Sequence, residues 1–316
     1  MKSSIFGSSS RSHDSTSRVF QQDARLRDRR EAGRTGPSNV PELTLEQYRL
    51  IRDLIYQVSG IYFADKKKYL LENRLPGRLR ALGMQNYEDY YHFLKYDPRK
   101  ASEFRALFDA ITINETNFFR DLPQLTALER EILPEMIAEK SRRGVRGLKI
   151  WSAGCATGEE TYTLAIIVME VLGKVLSQWH VEILAVDISE AALQKARQGV
   201  YRMSSVRNTP ARILSKYFTA KGDRYVVKDE VKPLVKYMPL NLFDHDRMRL
   251  IRGMDVIFCR NVLIYFDQES KQQVIADLYD SLNPGGYLFL GSTESLHGIS
   301  KAFKLIHFPK AIGYRK

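Results

Sequence analysis

Acidic residues follow a glycine turn near the middle of the chain, where a positively charged ligand could bind. The segment Lys149–Leu164 reads KIWSAGCATGEETYTL, which predicts a buried strand end, a tight turn at Gly154 and Gly158, and a helix start. This is the first unit of many nucleotide-binding α/β folds. A phosphate-binding turn carries basic residues or a Gly-Lys-Ser/Thr ending. Glu159 and Glu160 would instead repel phosphate, and they favour a ligand with a sulfonium and an ammonium, such as S-adenosylmethionine.

Two further strand ends carry polar side chains that suit the same ligand. The buried strand Val181–Asp187 ends in an acid that is placed to accept hydrogen bonds from both hydroxyls of a ribose. A later buried strand, Met254–Cys259, is followed by Arg260 and Asn261. Ligands of open α/β sheets bind at the carboxyl ends of the strands, so these side chains would converge. Tight packing at the glycine turn and a helix cap at the acid are plainer explanations, but the order of the signals favours a methyltransferase.

Strands and helices alternate through the second half of the chain and predict an α/β domain with a Rossmann-like sheet. A terminal hairpin at Phe303–Phe308 and Ala311–Arg315 would give an open parallel sheet with one antiparallel edge. A small antiparallel β insert is predicted at about residues 217–238, with a turn at Gly222-Asp223. Val235–Pro239, at the end of this stretch, also reads as a strand of the main sheet.

A small all-helical domain is predicted ahead of the sheet, over residues 43–112. It begins with a capping box at Thr44 and Gln47, after which apolar residues recur at helical spacing. A second, basic helix covers Lys66–Arg80, and Pro76-Gly77 within it predicts a kink or a split into two helices.

The remaining parts of the chain complete the predicted organisation. Residues 1–42 form a basic segment with few aliphatic side chains, which predicts a disordered tail. Residues 113–145 are predicted as a linker and a helix, and residues 146–316 as the methyltransferase domain that contains the β insert.

The net charge of +12 and the isoelectric point near 9.5 indicate an acidic partner. Nucleic acid, an anionic membrane surface and an acidic protein helix would all qualify, and solvated basic faces without a partner give the same composition. No run of 18 apolar residues and no secretory signal is visible, so we expect a cytoplasmic protein without membrane insertion. Two cysteines without a CxxC pattern favour neither disulfides nor a metal site.

Five separate motifs stand out along the chain. They are INETNFFR at 113–120, WSAGCATGEE at 151–160, Asp187-Ile-Ser, Asn241-Leu242 and FCRNVLIYFD at 258–267. In both sequence and spacing these motifs resemble the CheR family of chemotaxis receptor protein-glutamate O-methyltransferases. The resemblance covers roughly residues 44–316 and is specific because five motifs agree.

The resemblance implies S-adenosylmethionine as cofactor, S-adenosylhomocysteine as product, and a set of site residues. The residues beside the cofactor would be Asn114, Thr116, Arg120, Glu160 (rather than Glu159), Asp187 on the ribose, Asn241 and Leu242 at the adenine, Arg260 and Asn261. Arg120 and Tyr265 would lie nearest the transferred methyl group and position the acceptor carboxylate without acid–base chemistry. Lys67, Arg74 and Arg78 of the basic helix would bind the acidic cytoplasmic methylation helices of chemoreceptors.

Two departures and two alternatives accompany the resemblance. Pro76-Gly77 interrupts the basic helix, where its face departs from the family pattern. The turn at Lys221–Arg224 is shorter than the glycine-rich loop of family members that grip a receptor C-terminal peptide tether, so we expect no binding of that tether. We expect recruitment to membrane receptor arrays without contact to nucleic acid. A nucleic-acid methyltransferase would carry an (Asn/Asp)-Pro-Pro-(Tyr/Phe) or Pro-Cys motif, whereas the strand Met254–Cys259 ends in Cys and continues as Arg-Asn-Val. A non-catalytic adaptor that senses S-adenosylmethionine stays open.

Overall fold

The structure is a computed structural model that describes residues 42–316. The tail predicted at residues 1–42 lies outside the described residues, apart from its last residue. Among the helices of residues 42–316, none combines the length and the apolar character needed to cross a membrane. The domain boundaries drawn from the sequence stay predictions.

Four helices form the helical domain, and their bounds are α1 Leu45–Ser59, α2 Lys68–Leu82, α3 Tyr87–Tyr96 and α4 Lys100–Ile111. The capping box at the start of α1 is confirmed: Gln47 N donates to Thr44 Oγ1 at 3.2 Å, and Thr44 N donates to Gln47 Oε1 at 3.1 Å. Both bonds satisfy backbone N–H groups that the first helical turn leaves without partners.

The basic helix α2 is continuous across Pro76, so the predicted split into two helices is wrong. A proline removes one hydrogen bond from the helix, but apolar residues on both sides of it keep the same face buried. Leu71, Leu75 and Leu79 are all buried in the core of the helical domain. Packing of this stripe therefore outweighs the local cost of the proline.

The helix predicted within residues 113–145 begins at Leu122 and runs to Arg142. It consists of α5 Leu122–Ala127, a π-helical turn at Leu128–Ile132 and α6 Leu133–Arg142. Pro134 lies just after the π-helical turn and has no N–H to donate into the helix, which accounts for the wider spacing there.

Two sheets follow within the described residues. Their strands are β1 Gly147–Ala153, β2 His180–Asp187, β3 Val200–Arg202, β4 Phe218–Lys221, β5 Arg224–Val227, β6 Val235–Pro239, β7 Met254–Cys259, β8 Leu282–Leu290, β9 Lys304–Phe308 and β10 Ala311–Arg315. The main sheet has the order β6-β2-β1-β7-β8-β10-β9. The first five strands in this order are parallel, and β10 runs antiparallel to both its neighbours. The predicted parallel sheet with one antiparallel edge is confirmed.

Apolar side chains cover both faces of the main sheet, as expected for parallel strands flanked by helices. Ile150 and Ile183 point into one buried cluster, and their neighbours Trp151 and Leu184 point into another. The helices that cover the sheet and its loops are α7 Glu159–Leu172, α8 Glu190–Gln198, α9 Met203–Val206, α10 Ala211–Tyr217, α11 His245–Met248 and α12 Gln268–Ser281.

The small antiparallel sheet differs in extent from the predicted insert at residues 217–238. Its strand order is β3-β5-β4, so it also includes Val200–Arg202, and it ends at Val227. Val235–Pro239 pairs in parallel with β2 and belongs to the main sheet. As an edge strand that is only partly buried, β6 lacks the continuous apolar run that marks the central strands.

Candidate active site

A cavity of about 260 Å³ lies between the helical domain and the carboxyl ends of strands β1, β2, β6 and β7. It brings together almost all of the site residues predicted from the sequence. Those lining it are Lys67, Arg74, Asn114, Thr116, Arg120, Glu160, Asp187, Asn241, Leu242, Arg260, Asn261 and Tyr265. Arg78 is the predicted site residue that does not line the cavity.

The glycine turn after β1 brings the backbone close to a neighbouring loop. Gly154 has φ 85°, and a Cβ atom there would lie 2.4 Å from Val262 Cγ2. Gly158, which precedes α7, has φ 90° and would place a Cβ atom 2.7 Å from Ala196 Cβ. The left-handed backbone and the lack of space both require glycine at these two positions.

Four non-glycine residues with left-handed backbone lie at or beside the cavity. They are Phe119 (φ 55°), Asp121 (φ 58°), Ala156 (φ 47°) and Asn261 (φ 60°), and Lys310 is the one further case among residues 42–316. Such conformations cost free energy and persist where the surrounding structure enforces them, commonly at functional sites. Their clustering here supports the cavity as the functional centre.

Asp187 is held at the end of β2 by two backbone donors. Ala156 N donates to its Oδ2 at 2.8 Å, and Ser189 N donates to its Oδ1 at 2.9 Å. Each carboxylate oxygen keeps a further lone pair for a ligand. Burial raises the pKa of the Asp187 carboxyl above its usual value, against the opposing effect of the backbone donors.

Asp187→Asn is expected to weaken binding of S-adenosylhomocysteine about 10- to 100-fold, because one backbone N–H would face an NH₂ group instead of an acceptor. Ligand hydroxyls favour the ionised carboxylate, so wild-type affinity is full above the raised pKa of Asp187 and falls as the pH drops through it. Calorimetry over a pH series that descends from about pH 7.5 to about pH 4, the ordinary range of an Asp carboxyl, checks both effects. Asp229→Asn, at an exposed carboxylate paired with Lys232, is the control. Wild-type affinity that stays constant over the whole series would contradict the expectation.

Arg260 connects α7, the helix that follows the glycine turn, to the segment that contains Arg120 and Gln124. Its Nε donates to Glu160 Oε2 at 2.7 Å, and its Nη1 donates to the Arg120 carbonyl at 3.0 Å and to Gln124 Oε1 at 3.3 Å. Ser152 Oγ donates to the other Glu160 oxygen at 2.6 Å. The Arg260 side chain is only 3% exposed. These bonds give Arg260 the role of fixing Glu160 and the Arg120 backbone, and its predicted cofactor contact stays a prediction.

Glu160, and not Glu159, is the acid of the turn that lines the cavity. Glu159 is buried and accepts a hydrogen bond from Thr157 Oγ1 at 2.6 Å. Burial raises the pKa of the Glu159 carboxyl. The two neighbouring acids therefore have different surroundings, and only one can meet a ligand in the cavity.

The paired phenylalanines ahead of Arg120 anchor it to the α/β domain. Phe118 and Phe119 are buried in the core, where Phe118 N donates to the Ser205 carbonyl at 2.9 Å and Phe119 N donates to Thr163 Oγ1 at 3.2 Å. Arg120 follows at the cavity wall, between two residues with left-handed backbone. The backbone of Arg120 is thus anchored, and its side chain extends from this point at the cavity wall.

Tyr265 lies on the same wall as two arginines. Burial raises the pKa of its hydroxyl, although the positive charges of Arg120 and Arg74 oppose the shift. The hydroxyl therefore remains a hydrogen-bond donor at neutral pH. Tyr265 and Arg120, predicted as the residues nearest the reaction, are brought to one side of the cavity.

Asn241 and Leu242 follow β6 and line the cavity as predicted. The Asn241 side chain is already engaged, because its Nδ2 donates to the Val58 carbonyl at 2.7 Å and its Oδ1 accepts from Phe243 N at 3.0 Å. Leu242 is buried in the sheet core. Their predicted contact with adenine would therefore use apolar surface and backbone atoms more than the side-chain amide of Asn241.

Arg78, predicted to bind the substrate, does not line the cavity, and its guanidinium is paired within the helical domain. Its Nε and Nη2 donate to the two oxygens of Glu103 at 2.8 and 2.6 Å, and Tyr90 Oη donates to Glu103 Oε1 at 2.8 Å. Glu103 is buried within the helical domain. Arg78 neutralises this carboxylate, so its charge is used inside the protein and not at the cavity.

Glu294 is a site-forming residue that the sequence analysis missed. Its Oε2 accepts from Asn261 N and from Gly291 N, both at 2.7 Å, and its Oε1 accepts from Ile264 N at 3.3 Å. The carboxylate thereby fixes the loop that carries Asn261 and Tyr265. The only local signal was an acid in the sequence GSTESL after a core strand.

The cavity's donor set suits S-adenosylmethionine. Glu160 and Asp187 place carboxylates at two strand ends, and the glycine turn carries no basic side chain for a pyrophosphate. Among residues 42–316, no group of three or more His, Cys, Asp or Glu could hold a metal ion.

Two domains of known protein families match this chain and define its class. Residues 46–112 match the CheR methyltransferase all-alpha domain, and residues 114–312 match the CheR methyltransferase SAM binding domain. The matched class is a methyltransferase that uses S-adenosylmethionine as its cofactor.

Curated relatives match over most of their length. Chemotaxis protein methyltransferase 2 of Vibrio cholerae is 38% identical over 266 residues, which cover 84% of this chain and 91% of that protein. The chemotaxis protein methyltransferase of Escherichia coli K12 is 35% identical over 263 residues, which cover 82% and 87%. The chain belongs to the CheR methyltransferase family.

Proposed function

We propose that this protein transfers a methyl group from S-adenosylmethionine to the side-chain carboxylate of specific glutamates on chemoreceptors, giving glutamate methyl esters. The observation that carries the proposal is a single cavity lined both by carboxylates at the strand ends and by Arg74, Arg120 and Tyr265. The acids suit the cationic donor, and the arginines suit an anionic acceptor. Membership of the family and the names of the relatives support the same reaction.

The residues needed for this reaction position groups and do not transfer protons. When bound, the cofactor supplies an activated methyl group on a sulfonium. A glutamate carboxylate is ionised at neutral pH and attacks without a general base. Arg120 would hold this carboxylate by its guanidinium fork, and Tyr265 would donate a hydrogen bond from its protonated hydroxyl. Glu160 and Asp187 would bind the cationic methionine part and the ribose, respectively.

The receptor would approach across the cavity's basic entrance. Lys67 lies on a 3₁₀ turn at Asp65–Lys67, just before α2, and it lines the cavity together with Arg74. Both side chains are placed to attract an acidic methylation helix and to raise the encounter rate in a salt-dependent way. Arg78 is left out of this surface because of its pair with Glu103.

The proposal includes a cytoplasmic location with recruitment to membrane receptor arrays, and no binding to nucleic acid. Cys155 and Cys259, the two cysteines of the chain, are unpaired and buried, which suits a reducing compartment.

We also propose that the receptor is bound without a C-terminal peptide tether. Lys221 pairs with Arg224, so Gly222 and Asp223 alone connect β4 to β5. Such a two-residue turn offers little loop with which to grip a peptide. Calorimetry with a receptor C-terminal peptide is expected to show no binding, and low-micromolar affinity would contradict this part.

Incubation with tritiated S-adenosylmethionine and either receptor-bearing membranes or RNA tests the function. Label on membrane protein that is released by mild base, as expected of a carboxyl ester, supports the proposal. Label confined to RNA would instead support a nucleic-acid methyltransferase. Cofactor binding without transfer to either would support a non-catalytic adaptor.

A further inference from the structure

Three loops at the cavity are hydrogen-bonded to the helical domain. Asn241 Nδ2 donates to the Val58 carbonyl, and Tyr62 N donates to the Tyr265 carbonyl at 2.8 Å. The third link runs from Asp109, in the last turn of α4, to the turn that follows β2. The helical domain therefore supports loops that form the walls of the cofactor cavity.

Asp109 accepts two hydrogen bonds through one oxygen. Ser189 Oγ donates to Asp109 Oδ1 at 2.7 Å, and Ala191 N donates to the same atom at 3.1 Å. Ser189 is fully buried and caps α8, because its Oγ also accepts from Ala192 N at 3.1 Å. The hydroxyl thus donates to one partner and accepts from another, which fixes its orientation.

The same turn holds the carboxylate of Asp187. Ser189 N donates to Asp187 Oδ1 at 2.9 Å, so a continuous path of hydrogen bonds runs from Asp109 through Ser189 to Asp187. The negative charge of Asp109 lies near that of Asp187, an unfavourable arrangement on electrostatic grounds alone. The hydrogen bonds to the turn offset this repulsion.

We propose that Asp109 is a positioning residue for the cofactor site, which fixes the Ser189 turn from the helical domain and so sets the orientation of Asp187. Docking of α4 on the start of α8 is then coupled to cofactor affinity. Coupling is reciprocal, so a bound cofactor also tightens the contact of α4 with the α/β domain. The proposal concerns cofactor binding and is independent of the identity of the methyl acceptor.

Titration of the full chain with S-adenosylhomocysteine tests this role. Asp109→Ala is expected to weaken binding about tenfold, the loss expected when a buried hydrogen-bonding group loses its partner. Asp109→Asn keeps an amide oxygen at the acceptor position and is expected to stay within about threefold of wild type. In assays of transfer, Asp109→Ala raises KM for the cofactor and leaves kcat within about twofold, since Asp109 acts only through the cofactor site.

Asn86→Ala is the matched structural control. Asn86 caps α3 in the same helical domain, where its Oδ1 accepts from Asp89 N at 2.8 Å, and it does not line the cavity. Its loss is expected to lower thermal stability by a comparable amount, because both variants remove a helix-terminal acceptor, but to leave cofactor affinity unchanged. An equal loss of affinity in both variants would overturn the proposal, as would wild-type affinity in Asp109→Ala.

A double-mutant cycle tests whether Asp109 acts on the cofactor site through Ser189. Ser189→Ala and Asp109→Ala are expected to be non-additive in their effects on affinity, because each breaks the same chain of hydrogen bonds. Strict additivity would contradict an action of Asp109 through Ser189. These binding measurements need no methyl acceptor, so a wrong acceptor in the proposed function would leave them unaffected.

Discussion

Arg120→Ala is expected to lower kcat for receptor methylation about 100-fold, because an attacking carboxylate misplaced by about an ångström loses rate on that scale. Arg120 lines the cavity next to buried Phe119 and between two residues with left-handed backbone, so its backbone is held in place before the acceptor arrives. Initial rates at saturating cofactor and receptor measure the effect.

Two further variants separate position from charge. Arg120→Lys keeps the positive charge without the bidentate fork and is expected to retain about a tenth of the rate. Arg105→Ala removes one positive charge from the exposed surface of α4 and is expected to leave kcat unchanged. If Arg120→Ala retained more than a third of the wild-type rate, the acceptor carboxylate would have to be held by other groups.

The strand-end residues could be predicted because their signals are local. Glu160 follows the glycine turn within a few residues of β1, and Asp187 ends a continuous apolar run. Once the alternating pattern predicts a parallel sheet, its geometry brings such strand ends to one edge. The cavity confirms this convergence for residues that are about 100 positions apart, such as Glu160 and Arg260.

Residues that act through distant partners could not be predicted in this way. Glu294 is 33 positions from Asn261, and Asp109 is 80 positions from Ser189. Nothing near either acid in the sequence indicates which backbone N–H groups it will accept. Their roles depend on how loops and domains pack, which a periodic pattern does not specify.

The basic helix shows that the role of a charged side chain also depends on tertiary packing. The resemblance to the CheR family gives Arg74 and Arg78 of the basic helix a shared role in binding the substrate. In the structure Arg74 lines the cavity, whereas Arg78 pairs with Glu103, which is 25 positions away on α4. Charge composition therefore indicates an acidic partner, but tertiary packing decides which charges remain available to it.

Arg260→Met is expected to lower the free energy of unfolding by about 3–5 kcal/mol, the cost of leaving a buried charge without its partner. The Glu160 side chain is 11% exposed, and its carboxylate accepts hydrogen bonds from Arg260 and from the Ser152 hydroxyl. In the variant, only the bond from Ser152 would remain. The Arg120 carbonyl would lose its donor as well. Chemical denaturation with an unchanged m-value measures the loss as a lower midpoint.

Arg197→Met is the matched control, because Arg197 Nη1 also lies 2.7 Å from a carboxylate, that of Glu190, but on the surface of α8. An exposed pair of this kind contributes about 1 kcal/mol or less. Adding Glu160→Gln to Arg260→Met is expected to recover part of the stability, since it removes the unpaired charge, but not cofactor affinity. Equal losses of unfolding free energy for Arg260→Met and Arg197→Met would mean that water reaches Glu160 freely. The site for the cationic ligand would then be far less preorganised than the hydrogen bonds of Arg260 indicate.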